Sequence, residues 1–585
     1  MILWKRIYDG VFPLVFIGIV MYLLALPPLG LWQFGWIVAA FWTPLIRRSS
    51  LFSENESKNR LKKRKFWIRE RAYRQIWLAG VIFWGFSVFW VCYAYWATCF
   101  GWFAMSCYLG FYFPLFVFFA RTIHHAKICG KFRIPVWFAM PIAWIAAAYL
   151  QKHLFGGFGF ASLEHSQMYQ TSLIQVADIG GEYAVAAVMI FVGALLGDNF
   201  PLQFSDFYRE TAKTFFKRFF IRIFLILLTF GFLLGYTNFR YEKQTSPQNS
   251  QFCAAVLQGN FKASLSATMS WYEKVFEYYS KAAADARNSA DFIIFPESTC
   301  IYPYIDFDFS DKNRENVERL GKSNIERFLD KNQTELKNLS AEIGIPAIFG
   351  VSTFEYYDDN EEHLPRNFNS ALLLDAGNSN TAQRYDKMLL VMFGEYLPLA
   401  DYLPDAFPLK TLCNRADFGK NPVCFTIQKT KNNSKRDVLK ASANICFESS
   451  SPHLIREQIL TLKKEGNEPD ILINISNDGW FRHSSQIDMH LATHIFRAVE
   501  NRKTYLSSTN GGFSVGVDSD GRILNIGKRQ ENEIVWVKFT ASPRFSLYHY
   551  VKDYFALFSL IFSLLTILYN KTHFWNLRKK SNAAD

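Results

Sequence analysis

The chain has 585 residues, a formal net charge of +13, and a composition that is 50% hydrophobic and 17% aromatic, with 58 Phe. That length exceeds what one simple core supports, so two or more domains are expected, and the aromatic content is heavy for a soluble protein. The positive charge carries no aromatic-interleaved basic patch or binding motif with it, which argues against a nucleic-acid partner.

Residues 1–236 are mostly apolar runs, whereas 237–545 alternate charges, turns and short apolar stretches as a globular domain does. A membrane span needs about 20 mainly apolar residues. Candidate spans are 9–26, 29–46, 75–97, 101–120, 134–151, 182–198, 218–236 and, alone at the far end, 553–569. The first is read as a span and not a cleaved leader, because no small-residue cleavage site follows it and a second apolar run begins after Pro27-Pro28. Lys and Arg set the orientation. They crowd the loop 47–74, recur at Arg121, Lys127, Lys131 and Arg133, again at Arg209, Lys213, Lys217 and Arg218, and close the tail at Lys571, Arg578, Lys579 and Lys580. The turns near Pro27 and Cys99 carry none, and 152–181 carries only Lys152. Eight spans with both ends cytoplasmic satisfy this alternation. The expected organisation is a transmembrane domain over 1–236 with seven spans, an outside domain over 237–545, and a C-terminal span with a cytoplasmic tail over 546–585. The basic loop then faces anionic lipid, which accounts for much of the excess charge.

Within the outside domain the pattern switches between strand and helix. Strands are expected at Phe252–Leu257, Asp291–Phe295, Ala347–Val351, Asn444–Cys446 and Ile471–Asn474, with a hairpin-like pair at Ala371–Asp375 and Thr381–Arg384. Helices are expected at Ser270–Ala290, Asn324–Ile343 and 486–501. That alternation argues α/β, a class that keeps its functional residues at strand ends. Three chemistry-bearing residues stand there in order: Glu297 in Phe-Pro-Glu-Ser, Lys387 in Tyr-Asp-Lys, and Cys446 in Asn-Ile-Cys-Phe-Glu. A thiol attacks carbonyls as thiolate, so it needs a nearby base and a positive charge, and Glu297 and Lys387 supply one of each.

These three residues, each in its own context, resemble the Glu-Lys-Cys triad of the nitrilase superfamily. Together with the spans, the chain resembles the membrane-embedded branch of that superfamily, the apolipoprotein N-acyltransferases. Further segments carry the likeness: Gln258-Gly259-Asn260, Phe393-Gly394-Glu395-Tyr396-Leu397-Pro398, Phe418-Gly419, Asn477-Asp478-Gly479-Trp480-Phe481, Arg497 to Arg502, and Ser508-Thr509-Asn510-Gly511-Gly512. The resemblance implies a nitrilase-like four-layer α-β-β-α sandwich beside an eight-helix transmembrane domain. It implies an enzyme of the bacterial inner membrane, with its catalytic domain on the periplasmic side. A phospholipid would donate the acyl chain, a diacylglyceryl apolipoprotein would accept it, and no cofactor or metal would take part. By the same resemblance Cys446 is the nucleophile, Glu297 the general base and Lys387 the oxyanion stabiliser, helped by the backbone N–H after Cys446. Glu395 and Glu448 would support the site, Glu395 by orienting Lys387 or the amine. Trp271, Phe447 and Trp480 would line the substrate path, the two tryptophans on mobile loops.

The chain departs from the family pattern in places. Ala148 and Gln151 stand where a Glu and an Arg usually follow Trp144, Arg482-His483 replace a Gly-Asp, and Phe447 replaces a frequent Tyr. These positions bear on headgroup and acceptor contacts and leave the triad in place. His490 and His494 have an i, i+4 spacing that can bind zinc, but Leu491 stands where H-E-x-x-H needs Glu, so they read as ordinary helix residues near the site. Five of the nine cysteines lie in the outside domain, leaving one free thiol, and Cys413 and Cys424 could pair in an oxidising compartment. Two other readings use the same residues: a membrane-tethered amidase or nitrilase that hydrolyses a C–N bond, and a non-catalytic membrane scaffold.

Overall fold

The computed structural model describes residues 10–48, 51, 71–127, 133–200, 212–241, 251–264, 267–307, 322–356, 365–375, 382–398, 402, 416–429, 438–482, 484–541 and 544–582. They form two compact units, Met1–Tyr241 with Ser546–Asp585, and Glu242–Phe545. The pairing expected of Cys413 with Cys424, the residue His483 and most of the basic loop 47–74 lie outside the described residues.

Every expected span carries helix in the first unit: Val11–Ala25, Val38–Arg47, Arg71–Ser87, Thr98–His125, Val136–His153, Glu182–Gly197, Ala212–Arg240 and Tyr554–Asn582. Among the described residues, two stretches, Thr98–His125 and Phe215–Arg240, are long and apolar enough to cross a membrane. A third is reached if Thr171–Gly180 and Glu182–Gly197, bent by 120°, make one span. Length and composition of the helices thus carry two or three spans where the sequence suggested eight. Breaks at two of the expected spans account for part of the gap, and others, such as Val11–Ala25, are apolar helices shorter than 18 residues among the described residues. The run 29–46 is divided between a 3-10 turn at Trp32–Trp36 and a ten-residue helix, and the run 75–97 leaves its helix at Ser87 for a second turn at Phe89–Tyr93.

Aromatic side chains and close backbones hold this unit together. Trp42 stacks on Trp144 with ring centroids 5.7 Å apart, and Phe113 and Phe116 close around the pair. A Cβ on Gly80 would lie 2.6 Å from the Gly110 carbonyl oxygen, so Arg71–Ser87 and Thr98–Gly110 meet through their backbones. Lys152, the sole basic residue of 152–181, is no surface charge. It is buried between Glu164, at 2.8 Å, and Glu182, which also meets His165 at 3.1 Å.

The second unit holds two sheets. The first runs β13-β1-β2-β4-β5-β6, with β3 (Tyr304–Phe307) paired to the far end of β4. Its strands are β1 (Phe252–Gln258), β2 (Phe292–Ile294), β4 (Ala347–Tyr356), β5 (Arg366–Leu374), β6 (Gln383–Asp386) and β13 (Glu533–Phe539). The second runs β12-β11-β10-β9-β8-β7. Its strands are β7 (Cys424–Gln428), β8 (Val438–Ile445), β9 (Ile471–Asn477), β10 (Thr504–Asn510), β11 (Val515–Val517) and β12 (Ile523–Ile526).

Alternation along the strands sends one set of side chains between the sheets, among them Ala254, Val256, Phe292 and Ile294 from the first and Ala443, Ile445, Ile473 and Leu506 from the second. The other set, including Ala255, Ile293, Phe295 and Phe349, meets Tyr279 and Ala283 of helix Met269–Ala286 and Leu336 and Leu339 of helix Lys322–Ile343. Helices Pro452–Lys464 and Gln486–Asn501 pack on the second sheet. The result is the four-layer α-β-β-α sandwich expected. The helix Pro452–Lys464 and the strands β3, β7 and β10 to β13 are additions to the elements read from the sequence. Parallel pairing of β1 with β2, and of β8 with β9 and β10, gathers strand ends at one edge of each sheet.

One glycine ties a strand to the site. A Cβ on Gly350 of β4 would lie 2.5 Å from Glu297 Cα and from the Ser298 backbone nitrogen, where only backbone could move. Gly350→Ala is expected to destabilise the protein by about 1–3 kcal/mol. Gly231→Ala, inside helix Ala212–Arg240 with open space around it, should not lower the unfolding temperature of the detergent-purified protein.

Candidate active site

Glu297 lies three residues past β2, Lys387 directly after β6, and Cys446 directly after β8. The structure brings all three together. Lys387 Nζ is 3.3 Å from Glu297 Oε1 and 2.9 Å from Glu395 Oε1, with Lys387 almost wholly buried. Asn369 on β5 donates from one Nδ2 to both carboxylates, at 2.7 Å to Glu297 and 2.9 Å to Glu395. The Asn477 backbone N–H fixes the other Glu297 oxygen at 2.9 Å, and the Val391 N–H the other Glu395 oxygen at 2.8 Å.

Electrostatics follow from that geometry. Burial disfavours the Lys387 ammonium, but Glu297 and Glu395 overcome it and hold the ammonium well above its ordinary range. Burial is also unfavourable for the Glu395 carboxylate, yet Lys387 and the Val391 N–H keep it below its usual value. The Cys446 thiol is pushed well up by burial and by Glu297, and pulled back in part by Lys387. The resting sulfur is therefore a thiol beside an ammonium.

Cys446 has a φ of +53°, in the left-handed region that non-glycine residues seldom occupy, as do Ser298 beside Glu297 (+55°) and Phe393 near Glu395 (+64°). The turn is tied down by Glu448. Its fully buried carboxylate accepts from the backbone N–H of Ile445 at 2.6 Å, of Met388 at 2.6 Å and of Leu389 at 2.9 Å, and from the Tyr385 hydroxyl at 2.9 Å. Glu448 thus joins the Cys446 turn to the Lys387 turn. Burial pushes its carboxyl up to about 7 against the pull of the Ile445 and Leu389 N–H groups.

Of the three residues expected to line the path, Trp480 sits in a partly buried 3-10 turn after β9 and Phe447 is partly buried beside the nucleophile. Trp271 stands in the first turn of a helix and not on a loop, where it packs against the core outside the first sheet. Gln151 donates to the Phe158 carbonyl at 3.2 Å, and Ala148 packs beside the cluster of Ile145, Tyr183 and Ala556. His490 and His494 do not share a ligand site. His490 Nδ1 faces Asp478 at 2.9 Å, while His494 stacks on Tyr505 with ring centroids 5.1 Å apart. Sequence reasoning missed Asn369, Asn474, Asp478 and His490 as site residues. For Asp478 the signal was its place in the Asn-Asp-Gly-Trp-Phe segment; Asn369, in mid-strand, gave none.

The fold and this arrangement of strand ends define a class. Residues 253–542 match the family model described as carbon-nitrogen hydrolase. Residues 18–195 match that of the apolipoprotein N-acyltransferase N-terminal domain. The chain is 27% identical over 425 residues to an apolipoprotein N-acyltransferase of Geobacter metallireducens, covering 72% of each. It is 24% identical over 510 residues to one of Rhodopirellula baltica (81% of this chain, 85% of the relative) and 26% over 428 residues to one of Haemophilus influenzae (72% and 70%). The chain belongs to the apolipoprotein N-acyltransferase family within the nitrilase superfamily.

Glu448→Gln would set an amide N–H₂ against backbone donors that now meet a carboxylate. The expected result is a loss of about 1–3 kcal/mol in stability and slower alkylation of Cys446, read by thermal unfolding and by iodoacetamide labelling.

Proposed function

We propose that the protein takes a fatty acyl chain from a phospholipid, holds it as a thioester on Cys446, and passes it to the N-terminal α-amine of the diacylglyceryl cysteine of apolipoproteins. The observation that carries this reading is the buried Lys387 ammonium, clamped by Glu297 and Glu395 within electrostatic reach of Cys446, in a chain matched by both family domains.

Glu297 takes the thiol proton as the sulfur attacks the ester carbonyl. Lys387 faces the developing oxyanion. The tetrahedral intermediate collapses to the thioester, and the lysophospholipid alkoxide leaves with the proton from Glu297. The acceptor amine then attacks the thioester, Glu297 takes a proton from the nitrogen, and the Cys446 sulfur leaves and is reprotonated. Glu395 holds Lys387 on its far side and keeps it charged. Eight spans in the bacterial inner membrane, with this unit on the periplasmic side, suit two lipid-anchored substrates. Exclusion of water protects the thioester from hydrolysis.

The test incubates full-length protein in detergent with phospholipid and a diacylglyceryl-cysteine peptide. The expected product is the peptide heavier by one acyl chain on its α-amine. Glu297→Gln should slow its formation by about 10²–10⁴-fold, and Cys446→Ala should abolish it. Release of free fatty acid, or cleavage of simple amides with no peptide acylation, would favour a hydrolase instead.

A further inference from the structure

Behind the nucleophile turn lies a buried chain of polar groups that the reaction as described does not use. His490, in helix Gln486–Asn501, is almost wholly buried. Its Nδ1 is 2.9 Å from Asp478 Oδ2, and its Nε2 is 3.2 Å from the Cys446 carbonyl oxygen and 2.9 Å from Ser449 Oγ. Asp478 is held in turn by Ser476 Oγ, at 2.9 Å, and by Gln486 Nε2, at 3.2 Å. Asn474 Nδ2 donates to the same Cys446 carbonyl at 3.3 Å.

The partners fix the protons. A carboxylate and a backbone carbonyl can only accept, and Ser449 is left as an acceptor too: Thr493 donates its hydroxyl hydrogen to the His490 carbonyl at 2.7 Å, so Ser449 donates to Thr493 Oγ1 at 3.0 Å, and both ring nitrogens face acceptors and carry hydrogen. A histidine that donates from both nitrogens is an imidazolium.

We propose that His490 is a positioning residue for Cys446: its imidazolium grips the Cys446 carbonyl, fixes the left-handed nucleophile turn, and cancels the Asp478 charge that would otherwise oppose the thiolate. This rests on Cys446 being the nucleophile. Among the described residues, two titratable groups besides Asp478 bear on the ring. Glu297 adds to the stabilisation of the cation, and His494 lies with its ring centroid 4.4 Å away. Burial opposes the imidazolium, but Asp478 raises it above the ordinary histidine value. His494, in contrast, is driven well below that value by burial, by His490 and by Arg497, and stays neutral. Asp478 raises the Cys446 thiol, so the two members of the pair act on the sulfur with opposite sign.

The test is the pH profile of Cys446 alkylation by iodoacetamide, read by peptide mass spectrometry on the full-length protein in detergent. His490→Gln keeps a side-chain donor and loses the charge, leaving Asp478 uncompensated. Its midpoint should rise by about one pH unit, which means about tenfold slower alkylation below the midpoint. The double variant His490→Gln/Asp478→Asn removes both charges and should bring the midpoint back toward wild type. Asp478→Asn alone neutralises both partners and should hold the midpoint within a few tenths of a unit. This variant keeps the proposal testable should His490→Gln fail to fold. A group that merely packed the turn would change the folded fraction and leave the midpoint alone. An unmoved midpoint in folded His490→Gln, a raised one in the double variant, or a fall of about one unit in Asp478→Asn would overturn the proposal. If Cys446 were not the nucleophile, wild type itself would show no alkylation of Cys446 faster than that of the other cysteines.

Discussion

A lysine ammonium taken out of water is tolerated only where carboxylates replace its hydration, and the placement of the other groups at this site follows from Lys387. Glu297 approaches it from the end of β2 and Glu395 from the loop after β6, and Asn369 holds both with one amide. Take the lysine away and two carboxylates face each other in a buried space, a loss of about 3–5 kcal/mol for breaking such a pair. The same charge acts on the sulfur of partly buried Cys446. Burial and Glu297 hold the Cys446 proton on, while Lys387 works against them.

Precision in the backbone is the second constraint. Left-handed residues stand at Cys446, at Ser298 beside Glu297, and at Phe393 near Glu395. Such conformations persist only when surrounding bonds over-determine them. Glu448 supplies those bonds for two turns at once, collecting the N–H groups of Ile445, Met388 and Leu389. Its role is to join the Cys446 and Lys387 turns, through bonds to backbone and to Tyr385 and not through an ion pair.

Much of this was legible in the sequence, because an α/β sheet puts its reactive residues after apolar strands and the order of Glu297, Lys387 and Cys446 is visible as text. The α/β class followed from the same alternation, and the resemblance to the nitrilase superfamily implied the sandwich. Contacts across strands were not legible. Periodicity gives the face on which Asn369 lies but not that it meets two glutamates from other elements. His490 and His494 showed a helical spacing, yet the partner that takes His490 is Asp478, twelve positions earlier in the 3-10 turn after β9. Composition likewise counts apolar residues without seeing the turns at Trp32–Trp36 and Phe89–Tyr93 that cut helices short. Lys152 read as a loop charge because its buried partners, Glu164 and Glu182, come later in the chain.

On the proposed reading the acyl group rests on one sulfur, that of Cys446. The direct measurement is the intact mass of the full-length protein after incubation with a phospholipid and no acceptor, before and after hydroxylamine. The expected result is a single acyl increment that hydroxylamine removes, present in wild type and absent from Cys446→Ala. An increment of equal size in both proteins, or none in a folded wild type that still acylates the acceptor peptide, would contradict it.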